Sequence, residues 1–131
     1  MHFANRLALK LQKKYPAKNY KVLYQAYGPD RPLPLKEKPN QYVIISSVAN
    51  FHTRRNSTDF LKNPSVIEYK NWNTISQEQF WRPNLGNPVG RQWGMPDIAL
   101  NQTFEDFKWV ANQGCTGIFF DSFQDHWATQ G

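Results

Sequence analysis

Apolar residues recur at Phe3, Ala4, Leu7, Ala8 and Leu11, with Arg6, Lys10, Lys13 and Lys14 on other faces. That three-and-four spacing follows the α-helical turn and predicts an amphipathic helix ending before Pro16. The pattern then changes. Tyr20-Lys21-Val22-Leu23-Tyr24-Gln25-Ala26-Tyr27 is β-rich and closed by Gly28-Pro29, which predicts a strand. Pro29, Pro32, Pro34 and Pro39 are too dense for regular structure, so a loop follows. Tyr42 to Val48 is a second strand, and its near-continuous apolar start predicts burial on both faces, as in a parallel sheet.

Residues 57–76 carry a helical pattern that Pro64 interrupts early, with Trp72 and Ile75 on one side. Phe80-Trp81-Arg82 reads as a short third strand, and Pro83 to Pro96 as a long loop. Thr103 stands three residues before Asp106, a capping pattern that opens a helix with Phe104, Phe107, Val110 and Ala111 inward. Gly114 ends that helix at a C′ position, and Thr116 to Asp121 is a fourth strand. The order helix, strand, strand, helix, strand, helix, strand contains no hairpin signature. It predicts an α/β fold with parallel strands and right-handed crossovers. Four strands and about three helices are half of a (β/α)8 barrel, which typically takes ~250 residues. A single partial domain over 1–131 is therefore expected, a fragment of a larger barrel. The two outer strands would be exposed edges, and the isolated piece unstable.

The net charge of +6 resembles a nucleic-acid signal until it is located. Residues 1–40 hold nine Lys or Arg and two acids; residues 41–131 hold seven and eight. The excess belongs to the first helix and its loop, without aromatic interleaving, so a solvated face explains it and nucleic acid is not expected. The aromatic share of 15% fits either a large core or a surface that stacks on ligands. The single cysteine, Cys115, rules out an intrachain disulfide and a Cys-based metal site. His2, His52 and His126 are too scattered for a metal motif. Gly86 to Gly90 lacks the lysine of a phosphate loop, and there is no nucleophile elbow. No cofactor, metal or membrane partner is expected. The first fifteen residues are amphipathic rather than a signal peptide, and the compartment is open.

Chemistry concentrates after the fourth strand. Gly117-Ile118-Phe119-Phe120 stops at Asp121, and Ser122, Gln124, Asp125, His126, Trp127, Thr129 and Gln130 follow. Ligand groups in parallel α/β proteins sit where strands end. A carboxylate pair beside an imidazole and an indole suggests a sugar cleft.

The run Arg82-Pro83-Asn84-Leu85-Gly86-Asn87-Pro88-Val89-Gly90-Arg91-Gln92-Trp93-Gly94-Met95-Pro96-Asp97 resembles a bacterial domain-of-unknown-function family. So do Gly114-Cys115-Thr116-Gly117 and Asp125-His126-Trp127-Ala128-Thr129-Gln130-Gly131. That family is classed with (β/α)8 glycoside hydrolases and is related to α-glucuronidases. The resemblance covers nearly the whole chain and implies strands five to eight of such a barrel, with the rest of the barrel as its partner. It implies an oligo- or polysaccharide substrate. Family members often carry Glu where this chain has Asp125.

Glycoside hydrolysis needs two carboxylates flanking the bond. Asp121 and Asp125 are the candidates, with His126 as acid, base or sugar contact; otherwise Asp121 caps a turn and Asp125 is a solvated charge. One essential carboxylate of many barrel hydrolases lies in the half absent here. Trp127 would stack on the sugar. Arg82 and Arg91 flank a loop carrying Asn84, Gln92 and Trp93; a guanidinium fork fits a uronic-acid carboxylate, or equally braces the loop. Tyr24, Tyr27, Asn50 and His52 fall near strand ends as rim contacts. The expected function is uronic-acid-directed glycoside hydrolysis, with a non-catalytic carbohydrate-binding barrel as the alternative. A basic interaction module is a third reading.

Overall fold

A computed structural model describes residues 1–30, 32–49, 51, 58–83 and 100–119. They form α1 (His2–Lys14), β1 (Val22–Ala26), β2 (Val43–Val48), α2 (Pro64–Ile75), β3 (Gln79–Arg82), α3 (Leu100–Asn112) and β4 (Gly117–Ile118). Short 3-10 turns occupy Gly28–Asp30 and Phe60–Lys62. The strands make one sheet in the order β1-β2-β3-β4, every pair parallel. The expected α/β class is what the chain adopts, and a consecutive all-parallel order is compatible with part of a barrel. Among the described residues no helix is long and apolar enough to cross a membrane.

Register shows where the helices lie. Tyr24 pairs with Ile45 and Ile45 with Gln79, while Ala26 pairs with Ser47 and Ser47 with Trp81. Strand side chains alternate between faces, so these residues share one face with Val22 and Val43. All three helices pack there. Ala4 and Ala8 of α1 and Trp72 of α2 join Ala26, Val43 and Ile45 in one core cluster. Val66 and Tyr69 of α2 and Val110 of α3 join Trp81, Ala49, Phe51 and Phe60 in another. The second cluster is mainly aromatic. Phe51 stacks on Trp81 at 5.6 Å and meets Trp109 edge-on at 5.0 Å and Tyr69 edge-on at 5.8 Å. Much of the aromatic content is therefore core.

Helix ends follow local chemistry. Asn63 Oδ1 accepts the Ser65 N–H at 2.8 Å, and Pro64 takes the first helical position of α2, where its missing N–H costs nothing. Pro64 thus opens a helix where the periodicity suggested an interruption. At the end of α3, Gly114 has φ 83, and the Cys115 and Gly114 N–H groups donate back to Val110 O and Ala111 O. That is the Schellman stop expected of Gly114.

Two helix faces differ from the sequence reading. In α1 the buried positions are Ala4, Asn5 and Ala8, while Phe3 is 79% exposed and Leu7 37%. Small side chains let the helix approach the sheet closely, and Asn5 pegs it in place. Asn5 Nδ2 donates to Glu37 Oε1 (2.7 Å) and Lys38 O (2.8 Å), and its Oδ1 accepts the Asn40 N–H (2.9 Å). In α3 the helix begins at Leu100, so Thr103 lies inside it rather than capping it. Phe104 and Ala111 are exposed; Asp106, Phe107 and Val110 turn inward. Trp81 and Phe51 decide that rotation, because Phe107 meets the Trp81 ring at 5.4 Å.

Candidate functional site

Because the strands are parallel, Ala26, Val48, Arg82 and Ile118 end at the same edge of the sheet. This C-terminal rim is where βα loops build sites in parallel folds. Its two faces are chemically different.

On the helix side the rim is filled. Tyr24 packs against Trp72 with centroids 6.1 Å apart, so it serves the core rather than a cleft. Burial first, and then the neighbouring Asp30 carboxylate, raises the Tyr24 phenol above its ordinary range. A cavity of about 10 Å³, lined by Ala26, Ser47, Glu68, Tyr69 and Trp72 among others, holds at most a water and no sugar. Deeper in, Gln79 Nε2 donates to Ser47 Oγ (2.7 Å) and Tyr69 O (3.2 Å), leaving Oε1 without a partner. The buried Tyr69 hydroxyl lies beside the Cys115 thiol but reaches no full hydrogen-bond geometry. The thiol itself donates to Gly117 O at 3.0 Å. Burial foremost drives the Tyr69 pKa far upward. These groups are structural: they lie under the helices, away from the open side.

The opposite face carries Leu23, Gln25, Ile44, Ser46, Val48, Phe80, Arg82 and Gly117, by strand alternation. Leu23 is 47% exposed, and Ile44, Val48, Phe80 and Arg82 are half-buried. At the rim of this face, the Arg82 guanidinium sits 5.3 Å from the Phe119 ring centroid. Phe119 is held by its N–H, which donates to Trp81 O at 2.9 Å. A cation over an aromatic face is worth about 0.5–1 kcal/mol when partly exposed. It also orients the guanidinium at the mouth of the open side. Arg82 makes further contacts as well. Tyr27, just past β1, is 52% exposed.

Of the residues singled out in the sequence, Arg82 and Tyr27 are therefore rim groups. Asp121, Asp125, His126, Trp127, Asn84, Arg91, Trp93, Asn50 and His52 lie outside the described residues. Phe119, expected within the fourth strand, lies just past it and is the aromatic partner of Arg82. Its signal was positional: it stands two residues before Asp121, at the end of an apolar run. Among the described residues no group of three or more His, Cys, Asp or Glu could hold a metal.

Comparison with protein-family models, curated proteins and solved structures finds no match.

Proposed function

We propose that this chain is a carbohydrate-active, glycoside-hydrolase-like half-barrel that takes uronic-acid-containing glycans at the C-terminal rim of its open face. One observation carries the reading: Arg82 and the Phe119 ring stand together at that rim, on the face opposite all three helices. A guanidinium offers paired N–H donors to a sugar carboxylate, and an aromatic face offers a stacking surface to a pyranose. Asp121 follows Phe119 by two residues in the sequence, so the chain supplies a carboxylate close in sequence to that aromatic group. Hydrolysis would use Asp121 and Asp125 as the flanking pair. A separation of about 5–5.5 Å gives retention and about 6.5–9.5 Å inversion. His126 would transfer a proton or hold a hydroxyl, and Trp127 would stack on the sugar.

The test measures reducing-sugar release and binding on a panel of uronic-acid and neutral glycans, for wild type, Asp121→Asn, Asp125→Asn and Arg82→Ala. The expected result is release by wild type, loss of turnover with retained binding in the Asn variants, and a selective loss of acidic-glycan binding in Arg82→Ala. Binding without release by wild type would establish the non-catalytic carbohydrate-binding alternative. Neither binding nor release would end both readings.

A further inference from the structure

We propose that the outward face of α1 is a docking surface for an anionic lipid bilayer, on which the helix lies flat without crossing. The proposal stands apart from the carbohydrate reading.

Its first ground is charge. α1 carries Arg6, Lys10, Lys13 and Lys14 and no acid. All four cations are exposed, and among the described residues none forms an ion pair. Lys14 only brings its ammonium to 5.2 Å from the Tyr15 ring centroid. Arg6 to Lys10 and Lys10 to Lys14 are like-charge steps of four residues, which destabilise a helix by themselves. An anionic surface turns that repulsion into attraction. Burying unpaired cations against further protein is costly, so this face meets water or anions whatever chain surrounds it.

The second ground is what stands among the cations. The periodicity of the sequence turns Phe3 and Leu7 inward, which would leave a purely solvated basic face. The structure instead buries Ala4, Asn5 and Ala8 and leaves Phe3, Leu7 and Leu9 exposed. At 3.6 residues per turn, Phe3, Leu7, Lys10 and Lys14 follow one another along a single stripe, with Arg6 and Lys13 beside it. The phosphates of a nucleic acid would match the cations but leave the apolar side chains in water. A bilayer interface satisfies both. Anionic headgroups meet the cations, and Phe3 and Leu7 enter the boundary between headgroups and acyl chains.

The opposite side of α1 is built to hold it in place meanwhile. Ala4 and Ala8 seat it on the sheet, and Asn5 ties it to Glu37, Lys38 and Asn40. Among the described residues no helix is long and apolar enough to cross a bilayer, so α1 would lie on the surface.

Co-sedimentation of the full chain with lipid vesicles tests this. Binding is expected to vesicles of phosphatidylserine and phosphatidylcholine in equal parts, and not to phosphatidylcholine alone. It should weaken as salt is raised. Lys10→Glu combined with Lys13→Glu should weaken it at least about tenfold. Lys62→Glu combined with Lys70→Glu, at exposed positions elsewhere, makes the same change in net charge and should leave binding within about twofold. Phe3→Ser should weaken binding about fivefold. If the α1 charge variant loses helix signal, Phe3→Ser decides, because that side chain is exposed and lies outside both core clusters. No binding to the mixed vesicles overturns the proposal. So does equal binding to both vesicle types, an equal loss in the Lys62 and Lys70 variant, or a Phe3→Ser variant that binds like wild type.

Discussion

The two faces of the sheet are made from the same strands yet follow different rules. On the helix face, Val43, Ile45, Gln79 and Trp81 are at most 1% exposed, and only Ile118, at the β4 end beside Trp81, is as much as 38% exposed among the described strand residues of that face. On the other face, Leu23 keeps 47% of its surface and Phe80 and Val48 remain half-buried, although Ser46 between them is buried. The first face is finished: its packing explains why these strands form. Among the described residues the second has apolar character without a covering layer, and Arg82 and Phe119 stand at its rim. Alternation along a strand lets one sequence serve both purposes.

Removing a ring from the helix-covered face should have the largest effect. Trp81→Ala deletes the stack on Phe51 and the indole donation to Ala49 O at 2.8 Å. It should cost about 3–5 kcal/mol, read from urea denaturation. Next comes the open face. Gly117→Ala puts a methyl group against the Phe80 ring, an overpacking of about 1–3 kcal/mol. The Phe80 ring is the obstacle, so Phe80→Leu in the same chain should recover most of that loss. A Gly117→Ala cost that Phe80→Leu leaves untouched would show that the ring is not the obstacle.

A smaller effect of opposite sign is expected within the finished face. The Tyr69 hydroxyl is buried without a full hydrogen bond, so Tyr69→Phe should raise stability by about 1 kcal/mol. A loss of similar size would mean that its contact with Cys115 is a real bond. The smallest effect lies outside the sheet. Glu37 is held below the ordinary carboxylate range, chiefly by the Asn5 side chain and then by His2. A depressed folded pKa contributes stability above the unfolded pKa, and that contribution disappears as pH falls through the folded value. Melting temperature followed down through the carboxylate range should therefore fall slightly less steeply in Glu37→Gln than in wild type.

Much of the architecture was legible because it rests on short-range chemistry. Pro16, Gly28 and Gly114 punctuate the chain where elements stop, and the alternation of strands with helices carries the parallel class. Local pattern does not decide the face where a tertiary partner chooses it. Phe3 and Leu7 look like the packed stripe of α1, but the sheet accepts Ala4 and Ala8, whose small side chains allow close approach. Asn5 is buried because the segment from Glu37 to Asn40 satisfies its amide. No local pattern announces such a partner from more than thirty residues away. Arg82 could be picked out as a guanidinium near a strand end, but its pairing with Phe119 depends on β3 and β4 being neighbours.

By itself, then, the sequence determined the identity and order of the elements, since turn residues and hydrophobic period act within a few residues. Tertiary structure alone decided which stripe of each helix is buried, and which face of the sheet the helices cover. It also decided that a cation and an aromatic ring 37 positions apart share one rim. Those outcomes depend on packing between elements far apart in the chain, where volume and hydrogen-bond partners select among faces that local propensity leaves equivalent.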